Sequence, residues 1–263
     1  MDLGLRGKVA LVAASSKGLG RAIAEELAAE GAHLVICARG KEALEQTADS
    51  IRQRAAVKVV DVAADVSDPK DAARVVKAAF DEFGQVDILV TNSGGPTSGP
   101  FESLTPEMWD AATRSLLKSA VELTRAVLPG MKERRWGRIL NVTSIAAKQP
   151  IEGLMLSNSL RAAVIGFART LANEVAPFGV TVNNLLPGYT RTDRVQELAR
   201  AAGAKTGGSN TDIVSKWEKE IPMGRLGEPR ELAALAAFLA SERASYITGS
   251  SIAVDGGWIR SLL

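Results

Sequence analysis

Ala13-Ala14-Ser15-Ser16-Lys17-Gly18-Leu19-Gly20 stands between an apolar run, Val9 to Val12, and a helix-like stretch, Arg21 to Gly31. A strand feeding a Gly-rich turn feeding a helix suits the pyrophosphate of a dinucleotide. Glycines let backbone approach the phosphates, and a helix N-terminus offers free N–H groups and the positive end of a dipole. Ser16, Lys17, Gly18, Leu19 and Gly20 are therefore candidate cofactor residues. Two glycines at this spacing also occur in turns that bind nothing, so the weight comes from the neighbouring strand ends. The second strand ends at Ala38-Arg39, where an acidic side chain would hold a ribose hydroxyl and repel a 2'-phosphate. A small residue followed by a guanidinium favours NADP(H) over NAD(H), with Lys17 as a second cation for the same phosphate. The plainer alternative is two solvated surface cations. Asp65-Val66, after the third strand, offers a carboxylate and an N–H to an adenine edge, or serves as an ordinary turn ahead of Ser67-Asp68-Pro69. Asn92 and Gly94, in Thr91-Asn92-Ser93-Gly94-Gly95-Pro96, would lie against a ribose.

The elements that must position these residues are short apolar runs alternating with amphipathic stretches. Strands are expected at Val9 to Val12, Leu34 to Ala38, Val57 to Val62, Val86 to Val90, Arg138 to Val142, Val180 to Leu186 and Ile252 to Val254. Helices are expected near Gly20 to Glu30, Glu42 to Arg54, Pro69 to Phe83, Pro106 to Lys132, Ala162 to Ala176 and Pro229 to Ser241. This alternation implies one Rossmann-type, doubly wound, seven-stranded parallel sheet flanked by helices, a single domain over residues 1–263. Ligands then bind beyond the carboxyl ends of the strands, where strand order reverses.

Composition narrows the function. The 263 residues carry a net charge of +2 with basic residues scattered along the chain, which implies neither a nucleic acid nor an anionic membrane as partner. Met1 to Gly4 has no export pattern, and the longest apolar helix segment, Leu232 to Ala240, is far short of the roughly 18 residues that span a bilayer. A cytoplasmic protein acting on a small-molecule substrate is expected. Cys37, the only cysteine, sits in an apolar run and reads as a buried thiol; His33, the only histidine, starts the second strand, far from the candidate cleft.

With these residues laid out, the chain from about Leu5 to Trp258 resembles the short-chain dehydrogenase/reductase family, particularly its 3-oxoacyl-carrier-protein reductase-like members. The landmarks are Lys17-Gly18-Leu19-Gly20, Asp65-Val66, Thr91-Asn92-Ser93-Gly94, Gly137 to Ser144, Asn183 to Gly188, and Ile247-Thr248-Gly249 through Asp255-Gly256-Gly257. The resemblance implies that Pro187, Gly188, Thr190 and Thr192 line the nicotinamide end of the cofactor. It also implies a homotetramer or homodimer, paired through the long helices Pro106 to Lys132 and Ala162 to Ala176. The Gly-rich turn departs once, with Ala14 where the family usually has its first glycine.

The chemistry departs further. Family members use an Asn, a Ser, and a Tyr and Lys four residues apart on one helix face. Here the Ser is Ser144, while counting along the motif places Ser157 at the Tyr position, Arg161 at the Lys position and Leu116 at the Asn position. A phenol, with a pKa near ~10, can be drawn toward neutrality by an adjacent cation, but an aliphatic hydroxyl cannot. Arg161 keeps a charge for the ribose but is an imperfect stand-in for Lys. Lys148 and Tyr189 are substitute acids or, more plainly, a solvated cation and a pocket wall.

Residues 190–222 would form a substrate lid, with helix-like stretches at Arg194 to Ala202 and Thr211 to Glu220 around a break at Gly207-Gly208-Ser209. Its cations, Arg191, Arg194, Arg200 and Lys205, suit an acidic or acyl-thioester substrate or a solvated helix face. Three functions follow: an NADP(H)-dependent oxidoreductase using Ser144, Ser157 and Arg161; a catalytically silent NADP(H)-binding sensor or scaffold; or a dehydration or isomerisation on the same scaffold.

Overall fold

The computed structural model describes residues 2–262, with the side chains of Lys205 and Thr206 outside the description. Seven strands run β1 (Val9–Ala13), β2 (His33–Ala38), β3 (Val59–Ala63), β4 (Ile88–Thr91), β5 (Gly137–Val142), β6 (Val180–Pro187) and β7 (Ser251–Val254). Between them lie α1 (Gly18–Ala29), α2 (Lys41–Arg54), α3 (Pro69–Phe83), α4 (Pro106–Thr113), α5 (Ser119–Glu133), α6 (Met155–Val175), α7 (Asp193–Thr206), α8 (Asn210–Glu220) and α9 (Pro229–Ala240).

All seven strands are parallel, in the order β3-β2-β1-β4-β5-β6-β7. This is the doubly wound sheet expected from the alternating pattern. Alternate residues of each strand feed opposite cores. Ala10, Val12, Leu34, Ile36, Ile88 and Val90 pack with Ile23 and Leu27 of α1, Leu44 and Ile51 of α2, and Leu232 and Ala236 of α9. Leu11, Val35, Cys37, Leu89 and Ile139 pack with Val75 of α3, Leu123 and Val127 of α5, and Ala168 and Leu171 of α6. Burial on both faces is why the strands read as near-continuous apolar runs. Cys37 lies in the second core, and burial pushes its thiol up to about 12, so it is a packing residue.

A buried polar ladder crosses the sheet near its carboxyl edge. Thr91 Oγ1 donates to Asn141 Oδ1 at 2.7 Å, Asn141 Nδ2 to Asn184 Oδ1 at 3.1 Å, and Asn184 Nδ2 to Ser251 Oγ at 3.0 Å. It links β4, β5, β6 and β7 in turn. Asn183 points the other way, donating to Ile247 O and accepting from Ser250 N.

Two expected boundaries move in ways that matter for the site. The helix expected from Ala162 starts at Met155 instead, so Ser157 and Arg161 are helical. Ser157-Asn158-Ser159 reads as a loop by propensity, but Asn158 both donates to Ile151 O and accepts from Ile151 N, and Leu156, Leu160 and Val164 form a buried stripe four residues apart. The long helix expected from Pro106 to Lys132 is interrupted by a π-helical turn over Arg114–Lys118, which turns the buried Leu116 inward. The strands expected at Val57 and Val86 begin two residues later, at Val59 and Ile88. Among the described residues no helix is long and apolar enough to cross a membrane.

Asn141 is fully buried and hydrogen-bonded on both sides, to Thr91 and to Asn184. Asn141→Ala removes the partner of Thr91 Oγ1 and of Asn184 Oδ1 and is expected to cost about 2–4 kcal/mol. The readout is a lower urea midpoint with an unchanged slope.

Candidate active site

The reversal of strand order between β1 and β4 opens a cleft of about 690 Å³ at the carboxyl edge of the sheet. One end is lined by Ser16, Lys17, Gly18 and Leu19, with Arg39, Asp65 and Val66 beside them; Asn92 and Gly94 lie on the wall. The other end is lined by Ser144, Ser157 and Arg161, and by Pro187, Gly188, Thr190 and Thr192. Of the cofactor and catalytic candidates drawn from the Gly-rich turn, the strand ends and the Ser144, Ser157 and Arg161 set, all line this cleft except Gly20, which lies beneath it.

Gly20 is where the turn is tightest. A Cβ there would collide with Ala14 O and press on Asn92 Nδ2, so only glycine lets α1 dock under the turn. Asn92 Nδ2 reaches Ala14 O at 3.4 Å from β4 and ties the two sides of the switch point together. Ala14 itself has φ of 50°, the left-handed region that costs an L-residue with a Cβ roughly 1 kcal/mol or more. The turn keeps its shape without its first glycine by carrying strain.

The N-terminus of α1 opens on the cleft, where it could receive an anion. Helices α3, α4, α7 and α8 are each capped by a side chain, from Asp68, Thr105, Thr192 and Ser209. Helix α1 has no side-chain cap and no acidic residue in its first turn, as is also true of α6, and its first residues, Gly18 and Leu19, line the cleft. Arg39 is exposed and lines the cleft, with no carboxylate partner among the described residues. Lys17 differs from expectation in one respect: its Nζ is paired with Asp193 Oδ2, 2.9 Å away at the start of α7, and that hydrogen bond raises its pKa. Both side chains are about two-thirds exposed, at 66% and 69%. Asp65 accepts from the N–H and hydroxyl of Ser67, the turn role weighed against the adenine role, while still lining the cleft.

At the other end the helix start at Met155 puts Ser157 and Arg161 one turn apart. Arg161 Nε donates to Ser157 Oγ at 3.2 Å, and its Nη1 donates to Val142 O at 3.0 Å and Thr143 O at 2.8 Å. The guanidinium thus caps the carboxyl end of β5. Burial, reinforced by the charge of Arg194, lowers its pKa to about 10. Ser144 Oγ accepts from Ala146 N at 3.1 Å. Each serine oxygen accepts a hydrogen bond, and neither hydroxyl hydrogen has an acceptor among the described residues. Two O–H donors therefore face the cleft.

The substitute acids settle into plainer roles. Lys148 is exposed and does not line the cleft. Tyr189 lines it as a wall, stacked on Trp217 at 4.5 Å and edge-on to Trp258 at 5.8 Å, with burial pushing its phenol up to about 12. His33 stacks on Phe83 and accepts from Lys58 N, far from the cleft. Helices α7 and α8 follow the expected division of residues 190–222 and share a small core of Val195, Ile221 and Leu226 with Trp217 and Trp258. Of the four cations expected there, Arg194 lines the cleft, Arg191 is paired with Glu218 and Glu228, Arg200 is exposed, and the Lys205 side chain lies outside the described residues. Sequence reasoning missed the reach of Arg194 to Pro96 O, 2.7 Å, for which Gly95 was the only signal.

Fold and cleft define an α/β protein of the doubly wound class, with its site at the strand-order reversal. A family model described as Enoyl-(Acyl carrier protein) reductase matches residues 13–259. The chain is 38% identical over 255 residues to the 3-oxoacyl-acyl-carrier-protein reductase of Vibrio cholerae, covering 97% of this chain and 98% of that one. It is 35% identical to the same enzyme of Escherichia coli, again over 97% and 98%. Among solved structures, L-sorbose reductase from Gluconobacter frateurii, complexed with NADPH and L-sorbose, superposes with a TM-score of 0.94 at 38% identity and full coverage of both chains. An actinorhodin polyketide ketoreductase with NADPH gives 0.93 at 31% identity, over 97% of this chain and 98% of that one. The chain belongs to the short-chain dehydrogenase/reductase family.

Strain at Ala14 has a direct test. Ala14→Gly relieves the left-handed conformation and is expected to raise the melting temperature by about 2–4 °C, the equivalent of about 1 kcal/mol. A lower melting temperature would show that the Cβ contributes packing that outweighs the strain.

Proposed function

We propose that the protein is an NADP(H)-dependent oxidoreductase acting on a carbonyl or alcohol, with Ser144, Ser157 and Arg161 as its catalytic residues. The observation that carries this reading is the arrangement of the two ends of one cleft. An uncapped helix N-terminus and an unpaired arginine lie at one end, and two hydroxyls beside a partly buried guanidinium at the other. The NADPH complexes of the sorbose reductase and the ketoreductase support the choice of cofactor.

Residues Ser16 to Gly20 would hold the pyrophosphate, Arg39 and Lys17 the 2'-phosphate, Asp65 and Val66 the adenine, Asn92 and Gly94 the ribose, and Pro187, Gly188, Thr190 and Thr192 the nicotinamide end. Bound there, NADPH would supply a hydride for reduction of a carbonyl carbon. As charge develops on the substrate oxygen, the Ser144 and Ser157 hydroxyls donate to it, and Arg161 stabilises it through Ser157 Oγ. Ser157 passes its proton to the oxygen and recovers one from water in the open cleft. In this reading Ser157 and Arg161 stand at the family's Tyr and Lys positions and Leu116 at its Asn position. A serine starts far from the pKa of a phenol, so turnover is slower than a Tyr would allow by about 10²–10⁴-fold, the usual worth of a matched general acid. The protein acts in the cytoplasm as a homotetramer or homodimer, and residues 190–222 close over the substrate.

One observation favours a second reading. The Nε and Nη1 donors of Arg161 are spent on protein acceptors, two of them backbone carbonyls, as suits a structural residue in a silent NADP(H)-binding sensor.

Two measurements decide. Calorimetric titration is expected to show NADPH binding at least about tenfold tighter than NADH, and Arg39→Asp reversing the order; equal affinities would remove the phosphate assignment. Ser157→Tyr combined with Arg161→Lys is expected to raise carbonyl-dependent NADPH oxidation by about 10²-fold or more, while Ser144→Ala lowers it. A folded, cofactor-binding double variant without gain would count against the assignment of these positions.

A further inference from the structure

The substrate end of the cleft carries positive charge with no carboxylate lining it to answer. Arg161 and Arg194 both line it. The acids that line the cleft, among the described residues, are Asp65 and Asp193, and these are committed to Ser67 and to Lys17. Arg161 has no acid within ion-pair distance among the described residues. Arg194 crosses from α7 to the loop after β4, where its Nη2 donates to Pro96 O at 2.7 Å and its Nε packs over Gly95. A Cβ on Gly95 would collide with that Nε, so the glycine makes room for the guanidinium. One acid is near: Glu197 Oε2 lies 3.6 Å from Arg194 Nη1, on the same helix and more than half exposed, at 54%. At that distance and exposure it compensates little.

The two guanidinia also feel each other, since the charge of Arg194 helps to lower the pKa of Arg161. Like charges brought together in a partly desolvated cleft are costly until an anion is placed with them. Ile145, Ile151, Leu154, Val195 and Leu198 add apolar wall, which suits a small molecule with a short carbon chain and one charged end.

We propose that the substrate is an oxo acid, a carbonyl compound whose own carboxylate is held by Arg194 while its carbonyl faces Ser144 and Ser157. A guanidinium matches a carboxylate through paired, charge-assisted hydrogen bonds, whereas a neutral ketone, sugar or thioester would leave Arg194 with only Pro96 O and the weakly compensating Glu197. The carboxylate half of this proposal stands on the charge of the cleft alone; the carbonyl half rests on the reductase reading.

The test uses 2-oxobutanoate, 3-oxobutanoate and 4-oxopentanoate, each beside its methyl ester, titrated calorimetrically into the NADP-saturated protein and assayed for NADPH oxidation. At least one acid is expected to bind about tenfold or more tighter than its ester, with an advantage that shrinks as salt rises. Arg194→Leu is expected to abolish that preference, and Gly95→Ala to weaken it by displacing the guanidinium without removing its charge. NADPH affinity and melting temperature of each variant confirm that it folds. Esters binding as well as acids in every pair, or a preference that survives Arg194→Leu in the folded variant, would overturn the proposal. Acid-selective binding without NADPH oxidation would sink the reductase reading and leave the carboxylate site standing. Equal oxidation of acid and ester would do the reverse.

Discussion

The polar ladder from Thr91 through Asn141 and Asn184 to Ser251 is the constraint on which the site depends. A parallel sheet that is apolar on both faces has little in its side chains to choose one register over its neighbours. Amide and hydroxyl groups buried near the carboxyl edge supply that choice, because a slipped strand would leave them unpaired in a medium where each orphan costs several times what a bond gains. The loops that leave β4, β5 and β6 carry Asn92, Ser144 and Gly188, so the ladder sets where the walls of the cleft begin. On the other side of the switch point, contact of Asn92 with Ala14 O extends the same register control to β1.

Charge in the cleft is arranged asymmetrically. Near β1 and β2 the positive groups are solvated or helical: Arg39 is exposed, and Lys17 is paired with the exposed Asp193. Near β5 and α6 the positive group is Arg161, held against two main-chain carbonyls and one serine. A lysine could not make that set of contacts, since it lacks the planar fork that lets one side chain reach Val142 O, Thr143 O and Ser157 Oγ together. Arginine there is matched to a short neighbour. Ser157 accepts from Nε where a larger residue would have to displace it. The pair is best understood as a unit, in which the serine is oriented by the guanidinium and the guanidinium is anchored by the strand end.

Much of this was legible in the sequence. Seven apolar runs gave seven strands in parallel because burial on both faces erases the period-two pattern and leaves runs of Val, Ile, Leu and Ala. The Gly-rich turn, Arg39 and the strand-end residues all reached one cleft, since strand ends of a parallel sheet necessarily share an edge. What stayed hidden is tertiary. The start of α6 was hidden because Ser157-Asn158-Ser159 lacks helix propensity, and its stabilisation comes from Asn158 gripping Ile151 seven residues back. The π-helical turn at Arg114–Lys118 has no local signature, and neither does the choice of Arg194 over Arg191 as the cation that turns inward. Ionic partners depend on distances that a linear sequence does not carry.

Lys17 has a consequence of its own. The same ammonium that the cofactor's 2'-phosphate would recruit holds Asp193, the first residue of α7, and α7 carries Arg194 over the substrate end. An anion that draws Lys17 away competes with the carboxylate that tethers α7. If Lys17 takes the 2'-phosphate, cofactor affinity and the position of α7 would be thermodynamically coupled, and coupling of this kind is reciprocal: whatever cofactor binding did to the helix, pinning the helix would do to cofactor binding. Both side chains are mostly solvated, so the coupling is small, under about 1 kcal/mol, and it weakens as ionic strength rises.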